Sequence, residues 1–64
     1  MNISLNGEAF AFAGRTLADL LAEAAPPAPF AVAVNTAFVP KGAYAETVLA
    51  EGDAVDIVRP VVGG

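Results

Sequence analysis

Met1, Ile3 and Leu5 alternate with Asn2, Ser4 and Asn6, the period-two pattern of a strand with one buried face. Asn6-Gly7 follows, a dipeptide that tolerates positive φ at both central positions of a type I′ turn. The next run, Glu8 to Ala13 with Phe10 and Phe12 on one face, is therefore predicted to fold back as a hairpin that ends at Gly14. Thr16 can cap a helix, with Asp19 three residues on in a weaker form of the capping box. Leu17, Leu20, Leu21 and Ala24 then recur at helical spacing. Pro26 and Pro27 forbid continuation, which predicts a helix over residues 17–25 with Asp19 and Glu23 on its polar side. The near-continuous apolar run from Phe30 to Asn35 reads as a strand, Asn35-Thr36 as a weaker turn, and Ala37 to Val39 as a short return strand closed by Pro40. Lys41 to Leu49 is the least regular stretch and is read as a helical turn carrying Tyr44 and Leu49 inwards. After the turn Glu51-Gly52-Asp53, Ala54 to Arg59 alternates again, with Val55, Ile57 and Arg59 against Asp56 and Val58, as a final strand.

One amphipathic helix needs one apolar sheet face to cover, so the chain is read as an α+β fold with a mixed sheet of about five strands around a single helix. If the first and last strands are neighbours they must run parallel, with the helix inside the crossover. That arrangement is a β-grasp. It assigns residues 1–59 to the domain and residues 60–64 to an extended tail.

Composition narrows what such a domain can do. Sixty-four residues make one small unit, and 56% hydrophobic content supplies a core without disulfides or metal. There is no Cys and no His, which removes thiol and imidazole catalysis and Cys/His zinc sites. The net charge of −4, with Arg15, Lys41 and Arg59 the only cations, provides no basic stripe for nucleic acid and disfavours anionic membranes. The opening residues lack a signal-peptide pattern and no apolar run is long enough for a membrane span, so a cytoplasmic location is expected. None of the seven carboxylates sits beside a candidate nucleophile. All read as solvated, turn or helix-cap charges, and neither a catalytic residue, a bound cofactor nor a metal site is expected.

The informative segment is Arg59-Pro60-Val61-Val62-Gly63-Gly64. Pro60 breaks strand pairing, so the tail is expected to leave the sheet extended, and five residues span roughly 17 Å at full stretch. Gly63 and Gly64 have no Cβ, so their backbone can pass a constriction that excludes side chains and present the terminal carboxylate unhindered.

The chain resembles the ThiS family, the ubiquitin-like sulfur carriers of thiamin thiazole biosynthesis. The likeness spans Asn6-Gly7-Glu8, Thr16-Leu17-Ala18-Asp19-Leu20-Leu21, Val32-Ala33-Val34-Asn35, Val39-Pro40-Lys41, residues 49–58 and the terminal Gly63-Gly64. The resemblance implies that the chain is a protein cosubstrate. An E1-like adenylating enzyme, using ATP and Mg²⁺, would activate the Gly64 carboxylate, a persulfide donor such as a cysteine desulfurase would supply sulfur, and thiazole synthase would take it from the thiocarboxylate. Gly63, Val62, Val61 and Pro60 would form the partner-binding tail. An exposed apolar area near the last strand, continuing into that tail, would dock the activating enzyme. The alternatives are the small subunit of molybdopterin synthase, another ubiquitin-like thiocarboxylate carrier or protein modifier, and a plain β-grasp interaction module.

Overall fold

The computed structural model describes residues 1–59. Strands β1 (Asn2–Leu5) and β2 (Glu8–Ala11) form the first hairpin and helix α1 covers Leu17–Ala24. Strands β3 (Ala31–Val34) and β4 (Ala37–Val39) form the second hairpin, a 3₁₀ segment runs over Lys41–Glu46, and β5 covers Ala54–Val58. The sheet order is β2-β1-β5-β3-β4. The last strand thus lies in the middle, parallel to β1 through Ser4–Ala54 and Leu5–Val55 and antiparallel to β3 from Ala31–Val58 to Val34–Val55. This is the β-grasp that the alternation and the single helix predict.

Both hairpins turn through left-handed residues. Asn6 (φ 52°) and Gly7 (φ 82°) make the first turn, and Asn35 (φ 50°) and Thr36 (φ 71°) make the second. Asparagine tolerates this region because its short amide can bond locally, whereas Thr36 adopts it against the preference of a β-branched side chain. The register of β3 with β4, Val34 opposite Ala37, holds the turn to two residues despite that preference.

Helix α1 starts with a complete capping box. Thr16 Oγ1 accepts from the Asp19 N–H at 3.2 Å, and Asp19 Oδ2 accepts from the N–H groups of Thr16 and Arg15, both at 3.1 Å. Aspartate, one methylene shorter than the usual glutamate, closes the reciprocal pair here as well. The helix ends one residue earlier than its proline boundary predicts, because Ala25 takes φ 46° and donates its N–H to the Leu21 carbonyl at 2.8 Å. Gly14, just before the helix, is a place of close approach: a Cβ there would come within 2.7 Å of both Asp19 Cβ and the Phe12 ring. Phe12 is 2% exposed, so its ring has nowhere to go and glycine is required.

The core lies between the helix and one sheet face. Ile3, Phe12, Leu17, Leu20, Val32, Leu49 and Val55 are its buried members, with Leu5, Phe10, Phe30, Tyr44 and Ile57 packed around them. Leu49 enters it as the sequence predicts, drawn in by a backbone bridge outside the sheet: Leu17 N–H donates to the Thr47 carbonyl and Leu49 N–H to the Arg15 carbonyl, both at 2.8 Å. Three buried leucines and two valines supply several kcal/mol of apolar transfer free energy, of order 1.5 to 3 for each large side chain.

The two amide bonds from Thr16 and Arg15 favour the ionised carboxylate and lower the Asp19 pKa, the Thr16 bond contributing most. A carboxylate of this kind contributes stability above its unfolded-chain pKa, roughly 3.9, and loses it as pH falls through the lower folded value. In urea unfolding, the wild-type advantage over Asp19→Asn is therefore expected to be constant from neutral pH to the ordinary aspartate range and to vanish in stronger acid. Thr16→Ala, which removes the other half of the box, is expected to cost about 1 kcal/mol at neutral pH, and a cost that changes with pH in the same way as that of Asp19→Asn would show that the two halves act as one unit.

Candidate functional site

The tail residues Pro60, Val61, Val62, Gly63 and Gly64, including the expected site of modification, lie outside the described residues. The structure does describe the point from which the tail departs. On the β1 side, β5 has backbone partners only as far as Val55, whose carbonyl accepts from Asn6 N–H at 2.9 Å; the chain then turns away into β2. The next amide on that side, Ile57 N–H, donates to the Asn6 side-chain Oδ1 at 2.7 Å. On the β3 side, pairing continues to Val58 opposite Ala31. Arg59 follows, exposed, at the end of the sheet.

Around this exit stand the ends of β3 and β4. Phe30, immediately before Ala31, stacks on Tyr44 with ring centroids 6.4 Å apart and planes 13° from parallel. The two rings line a shallow groove together with Ala28, Pro29 and Lys41. Two of the chain's three cations are exposed here, Lys41 in the lining of the groove and Arg59 directly after β5.

Strand register sorts the residues into two faces. Val32, Ile57 and Val39 share one row and Val34, Val55 and Ala37 another, both facing α1; between them Ala33, Asp56 and Phe38 share a row on the outer face, as do Ala31 and Val58. Small alanines and Asp56 make up the rest of the outer face over β5, β3 and β4, where Phe38 (72% exposed) and Val58 (47%) are the large apolar side chains. The two stand on strands separated by β3, in neighbouring outer-face rows, and make an exposed apolar area of two large side chains. Sequence reading places such an area near the last strand; Phe38 extends it to β4. A three-residue strand carries too little alternation to say which way Phe38 points, and only its pairing with Ala33 fixes that.

Three of the seven carboxylates do structural work. Asp19 caps α1, both Glu51 oxygens accept from Asn2 N–H at 3.0 and 3.1 Å, and Asp53 Oδ2 accepts from Ala50 N–H at 2.8 Å while its Oδ1 accepts from Asn35 Nδ2 at 3.2 Å. Among the described residues no group of three or more carboxylates is arranged to hold a metal ion, and no helix is long and apolar enough to cross a membrane.

Because Phe38 is held by backbone pairing and not by its ring, Phe38→Ser is expected to change unfolding free energy by no more than about 0.5 kcal/mol. A loss above about 2 kcal/mol in chemical denaturation would place the ring in the core instead.

No curated protein sequence matches the chain. Among solved structures, the crystal structure of the thiamine biosynthesis protein ThiS from Geobacter metallireducens superposes with a TM-score of 0.87 at 25% identity, covering 100% of both chains. The ThiS family profile matches residues 3–64, a span that runs from the second residue of β1 through the helix and the other described strands to both terminal glycines. The chain belongs to the ThiS family, the small β-grasp sulfur carriers of thiamine biosynthesis.

Proposed function

We propose that this chain carries sulfur as a thiocarboxylate on Gly64 and donates it for thiazole formation. The observation that carries the reading is that the family match runs through residue 64 and so takes in both terminal glycines. The exit geometry supports it. A central strand fastened on both sides delivers the chain at Arg59, beside an outer face with exposed Phe38 and Val58 against which a partner can seat while the tail enters its active site.

The chemistry follows from the ends of the chain. A terminal carboxylate has a pKa near 3.3 to 3.7 and is a poor electrophile as the anion. In the proposed sequence a carboxylate oxygen of Gly64 attacks the α-phosphorus of ATP and pyrophosphate leaves, Mg²⁺ and the nucleotide being held by an E1-like adenylating enzyme. The terminal sulfur of a protein persulfide, supplied by a donor such as a cysteine desulfurase, then attacks the glycyl carbonyl and expels AMP. A further thiol cleaves the resulting acyl disulfide, leaving the thiocarboxylate on Gly64 and a new disulfide on the donor side. Thiazole synthase consumes the thiocarboxylate. Every base, thiol and nucleotide site in this sequence belongs to a partner, which agrees with a chain that has neither Cys nor His. Its own contribution is delivery: two residues without side chains, Gly63 and Gly64, on a tail formed by Pro60, Val61 and Val62.

Two experiments test the reading. Deleting Gly64 or adding one Ala after it moves the carboxylate by ~3.3 to 3.6 Å, where about 1 Å already costs on the order of a hundredfold in rate. Intact-protein mass spectrometry after incubation with ATP, Mg²⁺, the adenylating enzyme and a persulfide donor is expected to show one oxygen exchanged for sulfur in wild type only, with unfolding transitions unchanged in both variants. Wild type that never acquires sulfur, or an extended chain that acquires it as readily, would favour a plain interaction module. Replacing Val61 and Val62 together by Ser is expected to weaken binding to the adenylating enzyme about tenfold or more, because it removes apolar area from the contact. Unchanged affinity in titration calorimetry would confine recognition to the sheet face and the glycines.

A further inference from the structure

Asn6-Gly7 places a carboxamide next to a backbone amide that can react with it. Asparagine is thermolabile because the nitrogen of the following residue, once its proton is taken by base, can attack the side-chain Cγ. A C–N bond forms, ammonia leaves, and a five-membered imide closes between the two residues. Water then opens the ring at one carbonyl or the other. One opening gives an aspartyl residue; the other gives an isoaspartyl link, in which the main chain runs through Cβ and Cγ and is one atom longer. One water is consumed and one ammonia released, with no oxidation or reduction.

The chain has three asparagines, all exposed, and the residue after each separates them. Ile3 and Thr36 are β-branched and crowd the attacking nitrogen behind Asn2 and Asn35. Gly7 is exposed, has no Cβ, and would have nothing within 4 Å of one. Among the described residues no acceptor takes its N–H. Sequence and exposure therefore single out Asn6.

What restrains Asn6 is a contact with a distant strand. Its Oδ1 accepts from Ile57 N–H at 2.7 Å, where β1 has turned away and no backbone carbonyl of β1 is left to do so. The carboxamide thus reaches sideways to β5, whereas the Gly7 nitrogen continues the hairpin towards Glu8, paired with Leu5. Ring closure must bring Cγ to bonding distance of that nitrogen, so the carboxamide must first leave Ile57. We infer that Asn6 is a site of spontaneous self-modification which the Ile57 N–H holds unreacted, so that each opening at this end of β5 exposes it to one-way conversion. The two products differ in outcome. The aspartyl product keeps an oxygen for Ile57 and tolerates positive φ. The isoaspartyl product adds a backbone atom to a two-residue turn and unfastens β5. None of this depends on the carrier reaction.

The full chain is incubated at neutral pH, folded or in denaturing urea, and peptide mass mapping reads the replacement of NH by O at each asparagine. In urea, conversion is expected at Asn6 and, on the same timescale, at neither Asn2 nor Asn35. Folding is expected to slow it roughly tenfold or more, the upper range for one ordinary hydrogen bond with the hairpin pairing added. An ester in place of the peptide link between Asp56 and Ile57 removes the Ile57 N–H and leaves every side chain in place. At a temperature where the chain is folded, it is expected to speed conversion roughly fivefold. Asn35→Gly removes the matching acceptor at the other end of β5, where Asn35 Oδ1 takes the Ala54 N–H at 3.0 Å, and is expected to leave Asn6 at its wild-type rate. In wild type alone, low urea is expected to raise conversion of Asn6 in proportion to hydrogen exchange at the Ile57 amide. Conversion in urea no faster at Asn6 than at Asn35, or equal rates in folded and unfolded chain, overturns the inference. So does an ester chain that converts like wild type, equal acceleration by Asn35→Gly, or conversion that stays flat while Ile57 exchange rises.

Discussion

Everything in this fold depends on the last strand occupying the middle of the sheet. Each hairpin brings its own pairing, β1 with β2 and β3 with β4, but neither has a reason to lie beside the other until β5 enters between them. β5 supplies the parallel pairing to β1, the antiparallel pairing to β3, and, in Val55, a fully buried side chain at the centre of the face that α1 covers. The pairing to β1 joins residues 50 positions apart in sequence and that to β3 residues 21 to 27 apart, so their loop-closure cost is offset only when the whole sheet face is assembled. Stability and exit geometry are therefore one property: the strand that closes the core is also the strand that carries the tail.

The polar groups follow from that arrangement. A central strand that outlasts its neighbour leaves amides unpaired, and a short chain has few spare segments to cover them. The solution is side-chain amides from the turns, Asn6 to Ile57 and Asn35 to Ala54, together with carboxylates that accept from backbone N–H groups at Asn2, Thr16 and Ala50. Among the described residues no buried side-chain polar atom lacks a partner. Three of the seven acidic side chains, Asp19, Glu51 and Asp53, are used in this way, the first and last as local caps and Glu51 across the chain.

Most of the elements are legible in the sequence because each is marked locally. Alternation from Met1 to Leu5 with Asn6-Gly7 gives the first hairpin, leucine spacing after Thr16 gives the helix, and the alternation of Ala54 to Val58 gives the last strand. What is not legible depends on contacts between distant segments. Ala25 ends the helix in a left-handed conformation that no alanine advertises. Phe38 faces outward only because of its partner on β3. That the two turn asparagines bond β5 requires the register of three strands together. The candidate site divides in the same way: Gly63 and Gly64 stand out in the sequence by lacking side chains, whereas the outward placement of Phe38 and Val58 appears only once β5 and β3 have neighbours.

The parallel pairing of β1 with β5 also sets where the two ends of the chain stand. Met1 is a rung of the sheet, its ammonium donating to the Phe12 carbonyl at 2.8 Å and its own carbonyl accepting from Phe12 N–H at 2.8 Å. Strands that run side by side in one direction begin at one end of the sheet and finish at the other, so Met1 and Arg59 occupy opposite poles. An added segment before Met1 would exchange the ammonium for an amide, which still has one N–H to offer Phe12, and would continue away from the exit. The amino end is thus the natural point for tethering this protein to a bead, an electrode or a second enzyme, leaving the Arg59 pole facing outward.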